Sequence, residues 1–145
     1  MKQDTVLPDF TALKKYFSKR ANVAAVYLYG SHATNTASRL SDIDMAVLFK
    51  KDPVDITRAR IDLIVKITRL LNTDNVDVQI LHQDMSLPLA QQILKYGKVL
   101  VDNDPDTRIK FENKLRNLIF DFEPYEEQIF QAMYERLEKG TYGYK

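Results

Sequence analysis

Three things are scarce in this sequence: cysteine, long apolar runs and net charge. None of its 145 residues is cysteine, which excludes disulfides and thiolate metal sites and favours a cytoplasmic protein. No apolar run approaches the length of a membrane span, and residues 1–20 lack the apolar centre of a signal peptide. Because 21 basic residues are matched by 20 acidic ones, we expect neither a membrane partner nor strong nucleic-acid binding.

The composition is that of an ordinary globular protein. Hydrophobic residues make up 45% of the chain and charged residues 28%, which supplies enough apolar material for a core at this length. We predict one domain over residues 1–145, with a long C-terminal helical segment from about residue 104 to residue 139.

Two apolar runs in the first third of the chain predict strands. Val23 to Tyr29 and Met45 to Phe49 are rich in β-branched and aromatic residues, as in strands covered on both faces. Gly30 ends the first run, and Asp42 and Asp44 open the second. Glycine turns and Asp-x-Asp pairs are also common on solvated loops. Here the glycine follows a strand and the aspartates begin one, which favours a functional site.

The chemistry of these residues favours a metal-assisted reaction at a phosphate. Side chains two apart on a strand share a face, so Asp42 and Asp44 can converge on a divalent metal. Hard oxygen ligands in this number suit Mg²⁺. Gly30 allows a ligand to approach the backbone closely, and Ser31 is predicted to cap a helix whose free N–H groups hold phosphate. If the two strands are neighbours, this arrangement predicts transfer of a nucleotidyl group.

The segment between the two strands, residues 32–40, predicts a short helix followed by a loop. Arg39 is the cation nearest the predicted phosphate site, where it would neutralise charge on a polyphosphate. A solvent-facing loop arginine is an equally good alternative. His32 stands beside the phosphate site, but the simpler interpretation is an exposed histidine without a role.

A scaffold helix and a third strand follow. Residues 55–72 are predicted to cross over one face of the sheet. Asp77 is a polar residue within a strand, Asn75 to Leu81, that otherwise looks buried. We predict that Asp77 is a third metal ligand or the general base; a surface aspartate on an edge strand is the alternative. The apolar stripe of the helix includes Ile56, Ile61, Ile64, Val65 and Leu71, with Ile67 one position away from it.

The last third predicts two helices, residues 86–96 and 104–139, on either side of a short edge strand, residues 98–101. The final helix has a broad apolar face, and Pro124 is expected to kink or split it. This face exceeds what a small sheet needs, so it either packs on the domain or contacts another chain. We assign no role to Tyr142 and Tyr144 in the tail.

Gly30-Ser31 followed by Ser41-Asp42-Ile43-Asp44 resembles the signature of the polymerase-β-like nucleotidyltransferase superfamily. The short chain resembles the minimal nucleotidyltransferase (MNT) antitoxins of HEPN–MNT toxin–antitoxin pairs. The resemblance covers roughly residues 23–81. It implies an α/β fold with the nucleotidyltransferase core, a small mixed sheet of about four strands flanked by helices.

The resemblance also implies roles for individual residues. In that family two aspartates hold Mg²⁺, with two ions expected, and these roles carry over to Asp42 and Asp44. Gly30 and Ser31 take the place of the turn that holds the nucleotide phosphates, and Asp77 takes the position of the third carboxylate. The implied reaction is transfer of AMP from ATP to a tyrosine of a HEPN ribonuclease toxin, the expected partner in a hetero-oligomer.

One departure from the family concerns Asn35, where many members have glycine. Asparagine tolerates left-handed backbone better than most residues, so we still expect the loop to form. Two alternatives stay open for the function. The chain can neutralise its partner by binding alone, or it can transfer a nucleotidyl group to RNA or a small molecule.

Overall fold

A computed structural model describes residues 8–37 and 41–138, and in this part of the chain it shows four helices and four strands. A 3₁₀ turn, Gly30–His32, follows the first strand. No helix in these ranges is long and apolar enough to cross a membrane. In chain order the elements are α1 (Thr11–Ser18), β1 (Val23–Tyr29), β2 (Ile43–Phe49), α2 (Ile56–Leu71), β3 (Val76–Ile80), α3 (Leu87–Tyr96), β4 (Lys98–Asp102) and α4 (Pro105–Glu138).

The four strands form one mixed sheet in the order β3-β2-β1-β4. β1 is antiparallel to both of its neighbours, whereas β3 is parallel to β2. A parallel pair needs a crossover connection, and α2 provides it between β2 and β3. The predicted fold class, a small mixed sheet of about four strands flanked by helices, is confirmed.

Helices cover both faces of the sheet, which explains why the two central strands are apolar along nearly their whole length. All seven residues of β1 are buried. On one face, strand residues such as Met45 pack with Phe17 of α1 and Ile67 of α2. On the other face, Ala46 belongs to a second cluster that contains Ile93 of α3.

The face of α2 that packs on the sheet differs from the predicted stripe. Ile67, which the spacing places away from the stripe, is fully buried, and Leu63 is 4% exposed. Ile61 and Val65 are 51% and 45% exposed. The prediction was wrong because apolar residues occur on several sides of this helix. Leu63 and Ile67, four residues apart, define the buried line.

The first turns of α4 are anchored to the sheet by a polar network beside a buried leucine, Leu115. The hydroxyl of Tyr27 donates a hydrogen bond of 2.6 Å to the buried carboxylate of Glu112. Arg108 lies 3.2 Å from Glu112 and 3.0 Å from Asp102. Because each polar group has a partner, α4 can pack on the sheet without an unsatisfied buried charge.

The apolar side chains of α4 become exposed beyond Leu115. Phe120, Tyr125 and Ile129 are 73%, 59% and 46% exposed. The helix continues through Pro124 to Glu138 as one element, so the proline does not split it. The broad apolar face predicted for this segment is therefore only partly used by the core.

Asn103 joins the end of α1 to the beginning of β1. Its amide Nδ2 donates to the backbone oxygens of Phe17 at 2.9 Å and Val23 at 3.0 Å, and it lies 3.4 Å from that of Arg20. Asn103→Ala removes this donor and is expected to lower the free energy of unfolding by about 1–3 kcal/mol, measured by urea denaturation. The control is Asn113→Ala on exposed α4, for which we expect about 0.5 kcal/mol or less. Equal losses would contradict the prediction.

Candidate active site

Three polar side chains form a row across the sheet, at the end where β2 and β3 begin. The strand register places Tyr29 of β1 beside Asp44 of β2, and Asp44 beside Asp77 of β3. Directly paired residues project from the same face of a sheet. Asp42 lies two residues before Asp44, and Ile43 between them is buried in the core on the opposite face. The structure thus brings the three predicted carboxylates to one end of the sheet.

Negative charge is concentrated at this row. Burial raises the pKa of Asp44, and the carboxylates of Asp77 and Asp42 raise it further, while His32 acts in the opposite direction. Burial also raises the pKa of Tyr29 well above its usual range, with Asp44 and Asp77 adding to the effect. Repulsion among carboxylates favours a cation, and oxygen ligands of this kind suit Mg²⁺. The donor set therefore fits magnesium.

The three carboxylates are not arranged as a complete metal-binding site in this structure. Within residues 8–37 and 41–138, no three His, Cys, Asp or Glu side chains are grouped closely enough to hold a metal ion. Asp77 already has hydrogen-bond partners. Its Oδ1 accepts a hydrogen bond of 2.8 Å from Arg60 Nη2, and its Oδ2 accepts one of 3.2 Å from Gln79. Asp77 is thus held by neighbouring donors.

Arg60 reaches this site from α2, which packs on the other face of the sheet. Its Nε donates a hydrogen bond of 2.6 Å to the backbone oxygen of Val78, so the side chain passes around the outer edge of β3. Asp77 lies on the edge strand β3 with 36% of its side chain exposed, and Arg60 is the cation that pairs with it. The pattern of α2 predicts only a scaffold. The available signal is that Arg60 lies midway between Ile56 and Ile64, two partly buried residues that flank the buried line of α2.

The glycine turn lies directly against Asp44. Gly30 has a φ of +74°, which residues with a side chain rarely adopt. A Cβ atom at this position would collide with the Asp44 carboxylate. Glycine is therefore required here both by the backbone conformation and by the close approach of Asp44.

Ser31 does not have its predicted role as a helix cap. It lies inside the 3₁₀ turn, which follows Tyr29 and has no side-chain cap. The oxygen of Gly30 accepts hydrogen bonds from the amides of Ala33 at 3.0 Å and Thr34 at 3.3 Å. These bonds close a single tight turn after the glycine, so no α-helix begins at Ser31. The residue still lies beside Gly30, at the edge of the site.

The rest of the loop matches one expectation and contradicts another. Asn35 has a φ of +61°, so asparagine does adopt the left-handed conformation, as predicted. His32 is buried, with 7% of its surface exposed, although we expected an exposed side chain. Its ring Nε2 lies 3.5 Å from the backbone oxygen of Ser41, because the turn folds back against the start of β2. Arg39 lies outside the described residues, as do Tyr142 and Tyr144.

Residues 11–106 match the family described as Polymerase beta, Nucleotidyltransferase. The match includes the glycine turn, Asp42, Asp44 and Asp77. The chain belongs to this nucleotidyltransferase family. A search of curated proteins gave no match.

Solved toxin–antitoxin structures contain chains similar to this nucleotidyltransferase. A chain in the crystal structure of a toxin–antitoxin with AMP-PNP is 30% identical, with a TM-score of 0.68, and the match covers 84% of this chain and 97% of the other. A chain of the toxin–antitoxin MntA–HepT is 27% identical, with a TM-score of 0.61 and coverages of 83% and 94%. A chain in a structure of the tri-AMPylated Shewanella oneidensis HEPN toxin in complex with MNT antitoxin is 27% identical, with a TM-score of 0.62. This match covers 83% of this chain and 93% of the other. The predicted resemblance to MNT antitoxins is confirmed.

The raised pKa of Asp44 predicts how the stability of this nucleotidyltransferase depends on pH. Between the ordinary value of 3.8 and the raised value, the folded protein binds more protons than the unfolded chain, so stability falls as pH rises. Asp44→Asn is therefore expected to raise the free energy of unfolding at pH 7 by up to about 1 kcal/mol. The gain should be largely gone at about pH 3, below the ordinary value of 3.8, where the Asp44 carboxyl is mostly protonated in both states.

Urea denaturation at the two pH values measures this effect. Asp84→Asn makes the same chemical change on an exposed residue outside the site, and it should alter stability little at either pH. A less stable Asp44→Asn protein at pH 7 would show that the carboxylate does not carry the repulsion inferred here.

Proposed function

We propose that this nucleotidyltransferase is an antitoxin that transfers AMP from ATP to a tyrosine hydroxyl of a partner HEPN ribonuclease toxin. The observation that carries the proposal is the gathering of Asp42, Asp44 and Asp77 at one end of the sheet, against the glycine turn. Two similar structures support the substrate and the acceptor. One contains AMP-PNP, and another contains a tri-AMPylated HEPN toxin.

The glycine turn is proposed to receive the phosphate chain of ATP. Because Gly30 has no side chain, the turn lies directly against the Asp44 carboxylate, so phosphates held by the turn would lie beside the carboxylates. Ser31 follows in the same turn and is proposed to contact the phosphates. Arg39 is proposed as the cation that neutralises charge on the polyphosphate.

Asp42 and Asp44 are the residues that would hold Mg²⁺, with Asp77 as a further ligand where its hydrogen bonds permit. When bound, one or two ions neutralise negative charge on the reacting phosphate and on the departing pyrophosphate. The repulsion that raises the pKa of Asp44 supports this assignment, because the same carboxylates attract a divalent cation.

Asp77 is also proposed to accept the proton of the attacking hydroxyl. A carboxylate has about four acceptor positions, so the hydrogen bonds from Arg60 and Gln79 orient Asp77 without saturating it. The tyrosine oxygen forms a bond to the α-phosphorus of ATP, and its proton passes to Asp77. The bond between the α-phosphorus and the bridging oxygen breaks, and pyrophosphate leaves.

The experiment that tests the proposal combines the purified protein, α-³²P-labelled ATP, Mg²⁺ and the product of the adjacent gene. Transfer predicts label on that partner and a mass gain in whole AMP units, both abolished by a metal chelator. Peptide mapping should place the added group on tyrosine. If label is found only on RNA or a small molecule, the nucleotidyltransferase activity stands and the proposed acceptor is wrong.

Neutralisation by binding alone is the second candidate, and the exposed distal part of α4 favours it. Leu118, Tyr125 and Ile129, at spacings of seven and four residues, lie on one side of this helix, and the rest of the described chain leaves them exposed. An ATP analogue with a methylene group between the α- and β-phosphorus atoms cannot donate AMP. Inhibition of the partner ribonuclease in the presence of this analogue would support binding alone. Inhibition that requires ATP would support transfer.

A further inference from the structure

A basic groove lies at the opposite end of the sheet from the carboxylates. It has a volume of about 510 Å³ and is bounded by the end of α1, the turn after β2 and one side of α2. Among the described residues that line it, the cations are Arg20, Lys51, Lys66 and Arg69, and Asp62 is the carboxylate. This local excess of positive charge contrasts with a net charge of +1 for the whole chain. A cleft lined mainly by one sign of charge concentrates ions of the opposite sign.

Tyr16 contacts two of these cations, Arg20 from the turn after α1 and Lys66 from α2. The guanidinium of Arg20 donates a hydrogen bond to the Tyr16 hydroxyl, and its carbon Cζ lies 5.5 Å from the centre of the ring. Lys66 Nζ, from α2, lies 4.7 Å from the same centre. The aromatic ring holds both cations through its electron-rich face, so two like charges are kept close together at the groove wall.

In the described part of the chain, no carboxylate is paired with either of these two cations. Arg20 and Lys66 are half-buried, and neither forms an ion pair with an acidic side chain in residues 8–37 or 41–138. Asp62, the acid that lines the groove, lies 3.5 Å from Arg58, a cation that is not part of the lining. A ligand with several negative charges would relieve the repulsion between Arg20 and Lys66.

We propose that the basic groove binds the phosphate chain of a nucleotide-sized polyphosphate. Its volume lies within the range of about 300–1,000 Å³ that small-molecule sites occupy. Guanidinium and ammonium groups are the usual protein partners of phosphate. Because two cations already occupy the Tyr16 ring, the groove contacts phosphates rather than stacking a base. A free nucleotide and the backbone of an RNA strand share this chemistry.

The basic groove is separate from the catalytic carboxylates. Phe49, at the end of β2, lines the groove, whereas Asp44 lies near the start of the same strand. Five strand residues span about 17 Å. A ligand in the groove can therefore be detected independently of nucleotidyl transfer, and its binding needs no catalytic activity.

Binding is tested with the full chain in the presence of a metal chelator, which removes metal-dependent binding at the carboxylates. The probes are inorganic tripolyphosphate, ATP and a short oligoribonucleotide. Calorimetry measures their affinity, and the amide NMR shifts of Lys66, Arg69 and Gly30 show where they bind. The groove variant is Lys66→Gln with Arg69→Gln. The matched control is Lys110→Gln with Lys114→Gln, which removes the same charge from the exposed side of α4.

The proposal predicts shifts at Lys66 and Arg69 and at least a tenfold loss of affinity in the groove variant, with little change in the control. Circular dichroism should show that both variants are folded. Groove-dependent binding of tripolyphosphate and ATP would identify a free nucleotide as the ligand of the groove. Groove-dependent binding of the oligoribonucleotide alone would identify an RNA backbone, with a salt dependence that weakens in the variant. Shifts confined to Gly30, or equal losses in both variants, would overturn the proposal.

Discussion

Replacing Asp44 with asparagine is expected to lower nucleotidyl transfer by about 10³-fold or more, because the carboxylate proposed to hold Mg²⁺ is lost, and a metal ion supplies several kcal/mol to such a transition state. Asparagine keeps the size of the side chain and removes its charge. It also removes the repulsion with Asp77, its register partner, so the variant should fold at least as well as the wild type. Transfer is measured as label on the partner protein and as released pyrophosphate.

Partner binding separates a chemical defect from a structural one. The affinity of the Asp44→Asn protein for its partner should equal that of the wild type, and Asp84→Asn should leave transfer unchanged. Asp42→Asn is expected to act in the same direction as Asp44→Asn. If the Asp44 variant still protects cells from the partner toxin, neutralisation by binding alone becomes the better explanation. If it still transfers AMP, Asp44 is not a metal ligand.

The grouping of Asp42, Asp44 and Asp77 at one end of the sheet could be predicted because it follows from local patterns in the sequence. Alternation places Asp42 and Asp44 on one side of Ile43, and two apolar runs of strand length flank the glycine turn. The crossover helix between β2 and β3 makes these strands parallel, and this pairing brings Asp77 beside Asp44. The sequence contains all of these elements within about sixty residues, so their arrangement depends little on contacts between distant parts of the chain.

The features that could not be predicted depend on contacts between distant elements. The hydrogen bond from Arg60 to Asp77 crosses from one face of the sheet to the other around an edge, and spacing along α2 cannot show it. His32 is buried because the turn folds against β2, whereas its neighbours in sequence are small and polar. The buried side of α2 is also decided by tertiary packing. Ile61 and Ile67 each belong to a line of apolar residues with helical spacing, and only the line that contains Ile67 is buried.

Gly30→Ala is expected to lower transfer by about 10²-fold or more, since displacement of catalytic groups by about 1 Å can have an effect of that size. The new Cβ would collide with the Asp44 carboxylate, so either the turn or the carboxylate must move. The positive φ of Gly30 adds a conformational cost of about 1–3 kcal/mol for a residue with a side chain. Transfer assays and urea denaturation measure the two effects separately.

Asn35→Gly is the matched control for this prediction, because it changes the other positive-φ residue of the same loop. Glycine adopts this conformation readily, so stability should change by less than about 1 kcal/mol and transfer should be retained. The contrast between the two variants tests whether the loop needs glycine for its backbone or for the space beside Asp44. A Gly30→Ala protein that is destabilised but transfers AMP normally would show that the backbone conformation alone requires glycine. A protein that is folded but inactive would show that the close approach to Asp44 is what catalysis needs.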